Sequence, residues 1–144
     1  MLQLVVWRVG LREFALPFAV VSQVVRAVAV SATSDMPPFS CGMVDIRGDV
    51  VPVIDVRKRF SLPERSLAPA DHFIVAHTPK RTLVLWVDMV HGVAEYPDDA
   101  ATFTEGSNHG MAMLPDGLIL LHDLEQCLAA AHGMPLAELA EALP

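Results

Sequence analysis

Short apolar runs separated by turn-forming residues constrain this chain more than any other feature of its sequence. Through the first 120 residues, runs rich in Val, Ile, Leu and Phe alternate with Gly, Pro and Asp. Such spacing is typical of short β-strands joined by turns, so it predicts an all-β fold here. The periodicity of AVVSQVVRA supports either a helical turn or a strand. The predicted strands are LQLVVWRV, EFALPF, GMVDIR, VVPVIDV, FIVAHT, TLVLWVDMV, MAML and LILLHD.

After Asp123 the pattern becomes helical. Asp123 is expected to cap this helix, because its side chain can accept a hydrogen bond from a first-turn amide. A further helical segment is predicted at about residues 134–143, where it either docks on the strands or binds a partner. We expect residues 1–144 to form one domain with two β-subdomains, because the chain is too short for several independent domains. The residues that recur on one face of the first helix are Leu124, Cys127, Leu128 and Ala131.

A β-hairpin is predicted around Gly48 and Asp49. Glycine supplies the positive φ angle that a two-residue type II′ turn requires, and Arg47 would then lie opposite Val50. Because side chains alternate across a strand, this register sorts the hairpin into two faces. The inward face is expected to carry Val44, Ile46, Val51, Val53 and Asp55. The outward face is expected to carry Met43, Asp45, Arg47, Val50, Pro52 and Ile54.

The outward face of this hairpin mixes apolar and charged side chains with a proline. Proline donates no backbone hydrogen bond, so Pro52 favours a sheet edge or a bulge. Apolar residues beside an arginine at an edge suit contact with another protein. Alternatively, this face packs on the rest of the domain, and Asp45 and Arg47 form a local ion pair. The residues alone leave both interpretations open.

Composition and charge exclude several classes of function. The net charge of −7 disfavours nucleic acid as a partner, because phosphate binders present clustered positive charge. Cys41 and Cys127 lack CxxC spacing and are expected to be reduced, buried thiols of a cytoplasmic protein. The start of the chain is interpreted as a strand rather than a signal peptide. The uncharged stretch at residues 14–25 is shorter than the roughly 20 residues of a membrane span, so direct membrane insertion is not expected.

An enzymatic interpretation would depend on aspartates as acid and base. No hydrolase, metalloprotease or phosphate-binding motif accompanies them, and the six histidines show no metal-ligand spacing, so neither catalysis nor a metal site is expected. Asp55 and Asp88 are instead expected to accept hydrogen bonds from backbone or arginine donors at strand ends. The basic run at residues 57–59 is expected to be solvated charge that protects a strand edge, or alternatively a contact for an acidic partner. The aspartates in question are Asp45, Asp49, Asp55 and Asp88.

Four segments resemble, in the same order, the motifs of the CheW-like family of chemotaxis coupling proteins. Any one of them alone is a weak signal, and their common order along nearly the whole chain makes the resemblance specific. The resemblance implies two intertwined, SH3-like, five-stranded β-barrels that share a hydrophobic core and are closed by a C-terminal helix. It implies no enzymatic activity and no cofactor. The segments are FALPFAVVSQVV, IRGDVVPVIDVRKRF, LVLWVDMVHGV and GMAMLPDGLILLHDLEQCL.

The resemblance also implies protein partners. Members of the family bind the regulatory domain of a CheA-type histidine kinase, and a groove between the barrels binds the cytoplasmic tip of a chemoreceptor. Other CheW-like domains are a third candidate partner. Val21 matches an apolar residue of the receptor groove, and Arg47 matches the characteristic arginine of the family. Combined with the outward face of the hairpin, the predicted protein-binding residues are Val21, Met43, Arg47, Val50 and Ile54.

Two positions depart from the family pattern. Gln23 stands where an acidic residue is usual, and Asp45 stands where asparagine is common. Both departures change surface charge. They leave open a divergent scaffold that serves a pilus, motility or other signalling array and does not bind receptors. A small-molecule-binding barrel is the alternative from a different class.

Overall fold

The computed structural model describes residues 1–32, 38–101 and 109–129. Its strands follow the apolar runs of the sequence, and two short helices and one 3-10 turn join them. The predicted strand TLVLWVDMV is divided at Asp88, and AVVSQVVRA forms the 3-10 turn and β3. In order, the elements are β1 (Leu2–Val9), β2 (Arg12–Pro17), a 3-10 turn (Phe18–Val20), β3 (Val21–Arg26), β4 (Ser40–Ile46), β5 (Asp49–Asp55), α1 (Val56–Arg59), β6 (His72–His77), β7 (Thr82–Val87), β8 (Met89–Tyr96), β9 (Met111–Met113), β10 (Ile119–Leu121) and α2 (Leu124–Ala129).

The strands form two five-stranded sheets. Sheet 1 has the order β8-β1-β2-β10-β9, and sheet 2 has the order β3-β6-β7-β5-β4. The chain starts sheet 1, builds all of sheet 2, and returns to complete sheet 1, so the two sheets are intertwined. This arrangement confirms the predicted fold class, except that the sheets are open rather than closed barrels.

The two sheets have the same connectivity. In sheet 1, β1 and β2 form an antiparallel hairpin, β2 pairs in parallel with β10, and α2 follows β10. In sheet 2, β6 and β7 form the hairpin, β7 pairs in parallel with β5, and α1 follows β5. An aspartate starts both helices: Asp55 Oδ1 accepts from the Arg57 amide at 3.0 Å, and Asp123 Oδ1 accepts from the Gln126 amide at 3.1 Å. The cap predicted at Asp123 is therefore confirmed. The two units are thus structural repeats that the sequence did not reveal.

One apolar cluster, the shared core, lies between the two sheets. Alternate residues of both sheets enter it, and each sheet packs a smaller cluster on its other face. Three aromatic rings are in contact within the shared core. The ring of Phe14 in β2 stacks on that of Trp7, with 4.7 Å between ring centroids, and its centroid lies 5.0 Å from that of Phe60, next to α1. Cys127 is buried in this core and Cys41 is half-buried, and both are free thiols.

The β4–β5 hairpin keeps its predicted faces but not its predicted turn. The turn consists of Arg47 and Gly48, with φ angles of 52° and 91°, and Asp45 pairs with Val50. Positive φ at both positions defines a type I′ turn rather than type II′. Asp45 Oδ1 accepts from the Gly48 amide at 2.7 Å and stabilises this turn. From Gly42 to Ile46, the partner of each β4 residue is displaced by two positions, so these side chains stay on their predicted faces.

Two further predictions are wrong, both for residues at or just beyond the end of β5. Ile54, predicted to face outward, is fully buried in the shared core, because sheet 1 covers this end of β5. Arg57 and Arg59, predicted to be solvated, are 5% and 2% exposed in α1. The inward prediction is confirmed, since Val44, Val51, Val53 and Asp55 are buried and Ile46 packs against the same cluster as the three valines. The helix predicted at residues 134–143 lies outside the described residues.

Sheet 2 is partly closed by the chain that follows β3. Ser31 pairs with Met43 of the edge strand β4 through two backbone hydrogen bonds, of 2.9 and 2.8 Å. Gly42 permits this approach, because a Cβ atom at that position would lie 2.3 Å from Val30 Cγ1. Because of this bridge, the backbone of Met43 is paired rather than free at the edge of sheet 2.

Two substitutions on β5 test the assignment of faces. Val53→Ala should lower the free energy of unfolding by about 1 to 3 kcal/mol, because it leaves a cavity at a fully buried position. Val50→Ala is the matched control. Its side chain is 64% exposed, so the change should stay within about 0.5 kcal/mol. Chemical denaturation measures both changes in the free energy of unfolding. Equal losses would contradict the assignment of Val53 to the inward face and of Val50 to the outward face.

Candidate protein-binding surfaces

Large apolar side chains remain exposed on both sheets. Single exposed apolar residues are common on protein surfaces, so their grouping matters more than their number. Several of them fall into two groups: one lies on the edge strands β3 and β8, beside the shared core, and the other lies beside the β4–β5 hairpin. Among the described residues, the exposed large apolar side chains are Met1, Leu11, Phe18, Val24, Val28, Val50, Met89 and Val93.

The first group, the inter-sheet rim, consists of Val21, Val24, Val90 and Val93. Val21 and Val24 of β3 pair with two residues of the shared core, and Val93 of β8 pairs with a third. Paired residues point to the same face of a sheet, so these side chains lie along the margin of the shared core. Val21 and Val90 pack against that core, whereas Val24 and Val93 are 40% and 56% exposed. The rim therefore offers apolar surface drawn from both sheets.

The second group, the hairpin patch, consists of Val28, Met43 and Val50. Together with Asp45, these residues line one shallow depression beside the β4–β5 hairpin. Val28 and Val50 are more than half exposed, and Met43 is half-buried. Met43 and Val50 lie beyond the region of sheet 2 that sheet 1 covers, which explains why they remain accessible although Ile54 on the same face does not.

Arg47 occupies a third position, at the tip of the hairpin. It lines a separate depression with Gln23 and Asp49, at the open end of sheet 2. Arg47 is exposed, and it forms no ion pair with any residue in the described ranges. The local pair with Asp45 that the sequence allowed is therefore absent there, because Asp45 bonds to the Gly48 amide instead. Its guanidinium group is available to an acidic partner.

The structure thus separates the five predicted binding residues. Val21 belongs to the inter-sheet rim, Met43 and Val50 belong to the hairpin patch, and Arg47 lies at the turn. Ile54 is removed from the set, because a fully buried side chain in the shared core cannot contact a partner. The sequence analysis missed Val24, Val28 and Val93. Alternation along β3 could have identified Val24, but the meeting of β3 and β8 at one rim is a tertiary feature.

Asp88 holds the two sheets together at the crossover from β7 to β8. Its carboxylate accepts hydrogen bonds from the Gly10 amide of the β1–β2 turn at 2.7 Å, from Arg65 at 2.6 Å, and from Arg57 of α1. Burial alone would raise the pKa of Asp88, but these donors outweigh it and lower the pKa. Arg65 also forms a bidentate pair with Asp71, at 2.7 and 2.8 Å. Asp55 and Asp88 therefore have the structural role predicted for them.

A second polar contact joins the sheets at α2. Glu125 of α2, which follows sheet 1, accepts two hydrogen bonds from Arg81 at 2.8 and 2.9 Å and one from Thr78 at 2.7 Å. Thr78 and Arg81 both lie in the β6–β7 turn of sheet 2. The bonds from Arg81 lower the pKa of Glu125 to about 2, against the opposing effect of burial. α2 is therefore bonded to sheet 2, and α1 is bonded to Asp88 at the crossover between the sheets.

Neither a metal-binding cluster nor a membrane-spanning helix occurs among the described residues. They contain no group of three or more His, Cys, Asp or Glu side chains arranged to hold a metal ion. Within the same ranges, no helix has the length and hydrophobicity needed to cross a bilayer.

Two intertwined, SH3-like sheets around a shared core define a class of small β-domain. Known proteins identify the family within that class. The family model described as the CheW-like domain matches residues 3–132. The chain therefore belongs to the CheW-like family.

Individual relatives agree with this assignment. The chemotaxis protein CheW of Rhizobium meliloti is 24% identical over 131 residues, which cover 85% of this chain and 84% of that protein. The CheW of Bacillus subtilis is 30% identical over 73 residues, covering 51% of this chain and 47% of that protein. The crystal structure of the scaffolding protein TtCheW from Thermoanaerobacter tengcongensis superposes with a TM-score of 0.74, at 23% identity, and covers 92% of this chain and 97% of that one. The last similarity shows the fold alone.

The ion pair of Glu125 predicts a stability difference that depends on pH. A carboxylate with a lowered pKa stabilises the fold above its ordinary pKa of 4.5, and this contribution disappears as the pH falls to about 2. Glu125→Gln should therefore lower the free energy of unfolding by about 2 kcal/mol at pH 7, and by progressively less toward pH 2.

Denaturant unfolding at a series of pH values measures this effect. Glu13→Gln is the control, because Glu13 is exposed and forms no ion pair within the described ranges, and it should change little at any pH. A loss in Glu125→Gln that stays constant from pH 7 to pH 2 would contradict the role of the charge.

Proposed function

We propose that this protein is a non-enzymatic, cytoplasmic adaptor that couples chemoreceptors to a CheA-type histidine kinase. The observation that carries the proposal is the presence of two separate apolar surfaces, the inter-sheet rim and the hairpin patch, on one firmly connected frame. An adaptor must hold two partners at once, and it therefore needs two surfaces that do not overlap. Family membership supports the same conclusion.

We assign the inter-sheet rim to the cytoplasmic tip of a chemoreceptor. Val21, which matches the receptor groove of the family, belongs to this rim. The rim draws its apolar side chains from two strands, β3 and β8, and regularly spaced apolar residues suit the apolar stripe of a helix. The exposed fractions of Val24 and Val93 leave apolar area for a partner to bury.

The hairpin patch and Arg47 are then available for the regulatory domain of the kinase. Val28, Met43 and Val50 supply an apolar centre. Arg47, at the tip of the same hairpin, supplies a cation without an ion pair in the described ranges. Interfaces of standard size bury about 800 Å² per partner and depend on a few apolar or arginine anchors. An acidic side chain on the kinase domain opposite Arg47 would complete such an interface.

One observation favours a second candidate, a divergent scaffold that joins other partners in a pilus or motility array. Gln23 lies in the same depression as Arg47, at a position where the family usually has an acidic residue. The substitution removes a negative charge beside Arg47 and so changes what the hairpin tip attracts. A small-molecule-binding barrel is less well supported, because Phe73, Trp86 and valines fill the interior of sheet 2.

Charge reversal at the hairpin tip tests the kinase assignment. Arg47→Glu should weaken binding of the kinase regulatory domain by at least about tenfold, because it replaces a free cation with a like charge opposite an acidic partner. The thermal midpoint should stay nearly unchanged, since Arg47 is exposed. Arg12→Glu makes the same charge change at an exposed position of sheet 1 and should bind as the parent does. Isothermal titration calorimetry measures the affinities, and equal affinities for the two variants would refute the assignment.

Two matched valine substitutions test whether the surfaces are separate. Val93→Asp should weaken binding of the receptor tip and leave kinase binding intact, because it charges only the inter-sheet rim. Val50→Asp should do the reverse. Both side chains are more than half exposed, so neither change should unfold the protein. If each variant loses both partners equally, the adaptor does not have two independent surfaces.

A further inference from the structure

A single side chain joins the two sides of the inter-sheet rim. His72, the first residue of β6 in sheet 2, accepts a hydrogen bond at Nδ1 from the backbone N–H of Val90 in β8, at 2.9 Å. Val90 itself packs against the shared core and precedes Val93 on the same strand. The bond therefore fixes the edge strand of sheet 1 to sheet 2 at the rim.

His72 also pairs with β3, the strand that carries the other residues of the inter-sheet rim. His72 lies directly opposite Arg26 of β3, two residues beyond Val24 on the same strand face. On its other side, His72 lies opposite Val87 of β7. The bond thus connects β8 to β6, the strand that pairs with β3.

This bond can form only while Nδ1 of His72 carries no proton. Both ring nitrogens of a protonated imidazole are donors, so a protonated His72 would oppose the Val90 N–H. The neighbouring ionisable groups are Arg26 on β3, Asp71 before β6, Asp88 before β8 and His91 on β8. Arg65 holds Asp71, and Arg57 and Arg65 hold Asp88.

We propose that His72 is a positioning residue for the inter-sheet rim. In its neutral form it holds β8 at the distance from β3 that the receptor tip requires. Loss of this acceptor would release β8 and so weaken receptor binding. The inference rests on the proposed receptor assignment, and it adds a residue that does not itself need to touch the partner.

Two substitutions separate the hydrogen-bond acceptor from the ring. His72→Asn places Oδ1 near the position of Nδ1, so it keeps an acceptor. His72→Phe keeps a ring of similar size and removes the acceptor. The dissociation constant for a receptor-tip peptide is measured by fluorescence anisotropy at pH 7.5 for the parent and both variants, and thermal unfolding confirms that each is folded.

His72→Asn should bind as the parent does, because it keeps an acceptor for the Val90 amide. His72→Phe should bind about fivefold more weakly, the change expected for one neutral hydrogen bond. A His72→Asn variant that binds as weakly as His72→Phe, or a His72→Phe variant that binds as the parent does, would overturn the proposal.

Hydrogen exchange of the Val90 amide tests the bond without a partner. Its protection factor at pH 7.5 should be high in the parent and in His72→Asn, and several-fold lower in His72→Phe. Equal protection in all three proteins would overturn the positioning role of His72. Failure of the folded parent to bind the peptide would overturn the receptor assignment, and with it the role of His72 in receptor binding, even if the amide is protected.

Discussion

The rest of the structure depends on the apolar core that the two sheets share. Neither sheet could bury this face alone, because each supplies only one side of the cluster. The intertwined connectivity follows from that requirement, since the chain crosses between the sheets twice and brings their apolar faces together. Cross-bonding reinforces the arrangement at both ends: Asp88 receives donors from both units, and Glu125 of α2 binds the β6–β7 turn. The relative orientation of the sheets is therefore determined by packing and by polar contacts together.

The candidate binding surfaces arise where this shared core ends. Strands β3, β5 and β8 extend the apolar pattern of the core beyond the area that the opposite sheet covers. The uncovered residues at the inter-sheet rim and in the hairpin patch keep apolar side chains exposed on rigid strands rather than on loops. A partner that binds there completes a core-like contact and needs to order little of the protein, which reduces the entropic cost of association. Fold and proposed function thus have one physical origin.

Much of the fold could be predicted from the sequence, because the information is local. Period-two alternation located the strands, and it placed Val44, Val51 and Val53 inward even though the turn was assigned to the wrong residues. The error in the turn did not change the faces, since the register shifted by an even number of residues. The resemblance to the CheW-like family supplied the intertwined topology, which no local pattern contains.

Other features of the site required the tertiary structure. Alternation shows which face of β5 carries Ile54, but it does not show how far the second sheet extends over that face. The basic run after Asp55 looked solvated because charge is usually exposed, whereas Arg57 finds Asp88, and Arg59 finds the Cys127 carbonyl at 2.6 Å. Those partners lie 31 and 68 residues away along the chain. The inter-sheet rim likewise combines strands that are distant in sequence.

The central claim is that one rigid frame presents two independent binding surfaces, and amide chemical-shift mapping tests it most directly. The ¹⁵N-labelled protein is titrated separately with the receptor tip and with the kinase regulatory domain. We expect the receptor tip to shift the amides of Val21, Val24 and Val93, and the kinase domain to shift those of Met43, Arg47 and Val50. A common set of shifted amides for both partners, or shifts confined to β9 and β10, would contradict the account.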